Sequence, residues 1–136
     1  MFDELSGYKN NGHFFLTKDQ KLSDVCNAPE EPGVYYVLML HRGAIDLVYI
    51  GHAGIINQKG KFDKLLLKGI LSKSSQPGAS TPDLHAKFKS DVEAFDVYWH
   101  VTYNKRVQHL PAYVKGSLLQ RYFDLYGRLP LWNKEF

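Results

Sequence analysis

The chain has 136 residues, 44% of them hydrophobic and 14% aromatic, which is room for one domain with a proper core and too apolar for a disordered chain. No apolar run approaches the roughly 18–20 residues of a membrane span. The opening Met1-Phe2-Asp3-Glu4-Leu5-Ser6 has no signal-peptide pattern, and the single Cys26 leaves no internal disulfide, so a soluble, cytoplasmic protein with no membrane partner is predicted.

Residues 1–30 read as a mixed N-terminal extension, with a short strand over 13–17 and a helical turn around 22–26. Pro32-Gly33 then interrupts the chain. The run Val34-Tyr35-Tyr36-Val37-Leu38-Met39-Leu40 is β-branched, aromatic and nearly all apolar, as a strand buried on both faces would be. Arg42-Gly43-Ala44 supplies a turn and Asp46-Leu47-Val48-Tyr49-Ile50-Gly51 returns, so 33–51 reads as a hairpin.

Phe62, Leu65, Leu66 and Ile70 mark an amphipathic helix with Lys61, Lys64 and Lys68 on its other face. Residues 59–73 hold five lysines against one acid, Asp63, while the first 31 residues hold six acids, within a net charge of +3. Such a basic block suits phosphates, or equally a solvated helix face. The polar stretch 72–82 is expected to be an exposed loop. Thr81 as N-cap and Pro82 then open a second predicted helix with Leu84, Phe88, Val92 and Phe95 as its apolar positions. Residues 96–103 follow as a strand by propensity.

Pro111 opens the last helix and Gly127 ends it. Val114, Leu118, Leu119, Tyr122, Leu125 and Tyr126 form its apolar stripe, and Lys115 falls near the middle of that stripe. An ammonium there is costly unless it meets a partner or a ligand. The whole order predicts a single α+β domain, 1–136, whose core (33–133) is a small, mainly antiparallel sheet packed with helices.

Gly33-Val34-Tyr35, followed after thirteen residues by Tyr49-Ile50-Gly51 in the paired strand, resembles the signature of the GIY-YIG nuclease superfamily. The hairpin context, the helix after it and the closing Pro130-Leu131-Trp132-Asn133 extend the resemblance over about 33–133. The resemblance implies a domain that engages a nucleic-acid phosphodiester backbone, DNA in preference to RNA. It places Tyr35 and Tyr49 beside the scissile phosphate, keeps Gly33 and Gly51 for the motif backbone, and gives Asn133 a structural or site role. Strand tyrosines without the flanking glycines would read as core residues; the full pattern favours a site role.

Two of the family's groups are not found. No arginine lies between Arg42 and Arg106, so lysines stand in for the phosphate-binding cation: Lys59 by interval, or Lys61, Lys64 or Lys68 if the register shifts. No carboxylate lies between Asp96 and Asp124, and helical phase puts Lys115 where the family holds its metal-binding glutamate. A lysine repels a divalent cation and attracts a phosphate directly.

Three readings follow. The domain is catalytically degenerate but binds DNA. Alternatively it is an active Mg²⁺-dependent (or other divalent-metal) endonuclease that recruits acids such as Asp91, Glu93 or Asp96, its metal ligands unknown. Or it is a protein-interaction module that has kept the fold. His52, next to Gly51, joins Tyr35, Tyr49 and Lys115 as a candidate site residue able to reach a phosphate or act as a base, against the plainer reading of a polar loop residue. The six histidines show no metal-ligand spacing, and Cys26 has no positioned base.

Overall fold

The computed structural model describes residues 2–73 and 81–136. Four strands, β1 (Asn11–Leu16), β2 (Gly33–His41), β3 (Ala44–Ala53) and β4 (Val92–Val101), form one sheet in the order β1-β4-β2-β3. Every pairing is antiparallel. The predicted hairpin forms one side of the sheet, with β2 inside and β3 at the edge. Arg42 (φ 50°) and Gly43 (φ 73°) both take left-handed backbone at its tip, the turn geometry that matches the twist of paired strands.

Period-two alternation along this hairpin divides the interior into two cores. Tyr35, Val37, Val48 and Tyr49 face one side, with Phe95, Val97 and Trp99 of β4, against α2 (Leu67–Leu71) and Leu84. Val34 and Ile50 face the other, against Leu5, Tyr8, and Val114, Leu118, Leu119 and Tyr122 of the long helix α3 (Pro111–Tyr126). A bulge between Val37 and Leu38 brings Val48 and Tyr49, neighbours in sequence, into the same core. The single-turn α1 (Leu22–Val25) and two 3₁₀ turns, Asp3–Gly7 and His85–Lys87, complete the fold.

Three expectations change. The helix expected from Phe62 to Ile70 is shortened to α2. Its upstream part is a tight loop, because Asn57 Oδ1 accepts the N–H groups of both Lys59 and Lys61 and Gly60 turns the chain at φ 78°. Lys61 and Lys64 therefore lie on loop, not on a helix face. The second predicted helix is reduced to the His85–Lys87 turn, and Val92 and Phe95 belong to β4, which runs earlier than the expected 96–103. Their three-residue spacing imitates a helix, but pairing with both β1 and β2 outweighs it. The buried stripe of α3 ends at Tyr122, leaving Leu125 (58%) and Tyr126 (50%) exposed. Residues 74–80 of the expected loop lie outside the described residues.

Both motif glycines are explained by packing. A Cβ on Gly33 would stand 2.1 Å from the His100 carbonyl oxygen, and one on Gly51 would stand 2.4 Å from Cζ of Tyr35 and 2.7 Å from the Tyr49 ring. The Tyr35 ring thus lies across β3 at the point where β3 has no side chain. Gly51→Ala is expected to destabilise the protein by about 1–3 kcal/mol in chemical denaturation, through overpacking against two rigid rings. Gly7→Ala, with nothing within 4 Å of its new methyl group, should stay within about 0.5 kcal/mol of the parent.

Candidate functional site

Tyr35 and Tyr49 come together, with ring centroids 6.0 Å apart, but inside the first core. Tyr35 is 1% and Tyr49 4% exposed. The Tyr35 hydroxyl shares a 2.5 Å hydrogen bond with Thr81 Oγ1. Burial, and next to it the neighbouring Tyr49, push the Tyr35 phenol well above its ordinary value, so it is neutral at physiological pH. With both rings buried and its hydroxyl engaged by Thr81, Tyr35 does not offer that hydroxyl to a phosphodiester in this arrangement.

Lys115 and His52 form a separate corner. α3 does pack on the β2–β3 hairpin as its stripe suggests, but against Val34 and Ile50, the side away from the two tyrosine rings. The cause is alternation: residues 34 and 50 adjoin 35 and 49 in sequence and point the opposite way. His52, two residues beyond Ile50 and paired with Val34, shares that second face. It is half-buried, and its pKa is lowered first by burial and second by the charge of Lys115, with Asp63 opposing. Its Nδ1 is buried without a hydrogen-bond partner among the described residues. Lys115 is itself half-buried, and burial lowers its pKa. Among the described residues Lys115 takes part in neither a salt bridge nor a hydrogen bond.

The basic segment leaves β3 at the His52 end. Lys59, Lys61 and Lys64 are exposed on the loop that folds back through the Ile56–Phe62 bridge, and Phe62 anchors that loop edge-on against Tyr103, 4.9 Å between centroids. Lys68 is separate: it lies on α2, near enough to Cys26 for its charge to bear on that thiol. Asn133 is 9% exposed and serves the backbone. Its Nδ2 donates to the Ile50 carbonyl and its Oδ1 accepts the Ile50 N–H, both at 2.9 Å. The Trp132 N–H donates to the Val48 carbonyl, so residues 132–133 are hydrogen-bonded along the outer edge of β3.

The side chains at this corner do not fit a divalent metal. Lys115 contributes an ammonium, and the Asp63 carboxylate is engaged by the Ile55 N–H. Among the described residues no three His, Cys, Asp or Glu side chains gather as ligands. Of the acids named as substitutes, Asp91 pairs with Arg42 and Asp96 is buried against His13 Nδ1 at 2.9 Å, while Glu93 points to solvent from β4. No family model, characterised protein or solved structure matches the chain.

The sequence did not single out His100, one of the six histidines, which lies within the predicted 96–103 strand. Its Nδ1 is buried with no partner among the described residues, and burial lowers its pKa to about 4. The period-two pattern alone could have placed it, since Val34 pairs with both His52 and His100 and the three share one row of the sheet face.

Both imidazoles are neutral in the folded protein at pH 7. An unfolded chain takes up these protons near pH 6.5, while the folded one resists until about pH 4 at His100. Stability contributed by His100 is therefore complete above pH 6.5 and lost as pH falls toward 4; His100→Phe should flatten the pH dependence of the denaturation midpoint across that window. Lys115→Gln should raise the His52 pKa in an NMR titration yet leave it below 6.5, because burial is the larger cause. An unchanged His52 pKa would show that the two side chains do not interact.

Proposed function

We propose that this is a GIY-YIG-type domain that binds a nucleic-acid phosphodiester, DNA in preference to RNA, at the Lys115–His52 corner and does not hydrolyse it by a metal route. The observation that supports this most is the half-buried Lys115 ammonium, which has no ion-pair partner among the described residues. A charge removed from water and left unpaired is unfavourable, and an anionic ligand would offset that cost. The first turn of α3 adds to the attraction: it carries no acidic residue and no side-chain cap, so its N–H groups present positive potential.

In this reading Lys115 takes one phosphate oxygen by charge, and the neutral His52 donates its N–H to another. Lys59, Lys61 and Lys64, exposed on the adjoining loop, draw the polyanion in at longer range. Tyr35 and Tyr49 act through the fold, holding β3 in place from the opposite side. A Mg²⁺-activated attack would need more carboxylates than the one, Asp63, that the described residues bring to this corner.

Fluorescence anisotropy with a short duplex over a salt series tests the reading. Binding should weaken steeply with salt, and Lys115→Gln should reduce the slope of log K against log salt by about 1 without changing sequence preference. A flat salt dependence in the parent protein would overturn the nucleic-acid assignment. Cleavage of plasmid in Mg²⁺ or Mn²⁺ but not in EDTA would overturn the non-hydrolytic part. Lys115→Glu should gain measurable Mn²⁺ binding by paramagnetic broadening of the His52 resonances.

A further inference from the structure

A second concavity lies on the same sheet face as α3 but uses neither Lys115 nor His52. It is an open groove of about 1040 Å³, bounded by the Asp3–Gly7 turn, the tip of the hairpin and the end of α3. That is just above the roughly 300–1,000 Å³ typical of small-molecule sites, so there is room for a ligand of nucleotide size. Aromatic rings enter it from three elements: Phe2 before the 3₁₀ turn, Tyr36 from β2, and Tyr122 and Tyr126 from α3. These rings are braced. Tyr36 is stacked on Tyr98 at 5.0 Å and met edge-on by Phe2 at 5.4 Å, and Tyr122 leans on Tyr126 at 4.6 Å.

Two polar features set this groove apart from an ordinary apolar depression. His100 lines it, and its Nδ1 is the buried atom with no partner described above. Arg128 stands at its edge, with the guanidinium over the Tyr122 and Tyr126 rings at 5.8 and 5.9 Å. It donates to the Tyr122 hydroxyl at 3.2 Å and to the Leu129 carbonyl at 3.5 Å, and forms no salt bridge among the described residues. Of the acids lining the groove, Asp46 is already held by His41 at 2.6 Å, and Asp3 is exposed and pairs with no cation among the described residues.

We infer that this groove binds a nucleotide: a planar heteroaromatic base between the aromatic walls and against the His100 imidazole, with its phosphate on Arg128. Stacking accepts any base because every base has a π face, and the guanidinium suits a phosphate better than an ammonium would. The neutral imidazole of His100 can serve as donor or acceptor, depending on which nitrogen holds its proton. The nucleotide could be free or the unpaired end of a strand; the site chemistry is the same.

The test uses the full chain, with AMP, adenosine and a short single-stranded oligonucleotide as probes, read by NMR shifts of His100 and by tyrosine fluorescence. AMP should move the His100 resonances at submillimolar to millimolar concentration, and adenosine should bind more weakly. Tyr126 is half exposed, so Tyr126→Ala keeps the fold and should weaken AMP binding about tenfold. Arg128→Gln should weaken AMP and leave adenosine unchanged. His100→Phe removes an unpaired buried polar atom, should fold at least as well as the parent, and should lose the binding.

An oligonucleotide that binds more tightly than AMP identifies the end of a strand as the occupant; equal affinity identifies the free nucleotide. No response to either probe at millimolar concentration overturns the inference. Equal binding by parent, Tyr126→Ala and His100→Phe overturns it as well. Duplex binding that depends on Lys115 but not on these three residues separates the two sites, so either can fail alone.

Discussion

Everything in this fold is arranged around the burial of the β2–β3 hairpin on both faces. A strand pair covered on both sides cannot slip by one residue, because slippage would exchange the contents of two different cores. The ring of Tyr35 lying over Gly51 fixes that register from one side, and Val34 and Ile50 beneath α3 fix it from the other. The position of each polar candidate follows. His52 and His100 share a row with Val34 and so must face α3, while Tyr35 and Tyr49 must face α2.

That division accounts for the chemistry of the candidate site. Residues that a motif places together in sequence are separated by the sheet itself, with phenols on one face and the cation with its imidazole on the other. The phenols are satisfied within the protein, Tyr35 by Thr81. Among the described residues the cation and the two imidazole nitrogens are not, and they lie on the face that also holds the aromatic groove. Unsatisfied polar atoms cluster where ligands bind more often than where packing alone is at work, which is why both functional readings belong to the α3 side.

The sequence was most legible where local chemistry and tertiary packing agree. The β-branched run from Val34, the Arg42-Gly43 turn, and the Pro111 and Gly127 boundaries of α3 each carry a strong local signal, and each element forms as expected. It was less legible where one side chain overrides periodicity. Asn57 caps a loop inside what looks like helical spacing, and Val92 and Phe95 join a strand because two neighbouring strands are there to pair with. The N-terminal segment was the least legible: Leu5 and Tyr8 bury themselves in the second core through contacts more than a hundred residues distant in sequence, such as Tyr8 Oη to His109 Nδ1 at 2.7 Å. Of the site, sequence could show that Lys115 was out of place on an apolar stripe, but not which sheet face it overlooks, since that depends on the register of strands far from it.

The C-terminal segment that carries Trp132 and Asn133 has a consequence for behaviour in solution. β3 is an edge strand, and an open edge is a template on which other chains can add. Asn133 occupies both hydrogen-bonding groups of Ile50 with one side chain and thereby mimics a further strand too short to be extended. A chain lacking its last few residues would keep most of both cores and yet expose a sticky border, so its characteristic fault would be self-association rather than unfolding.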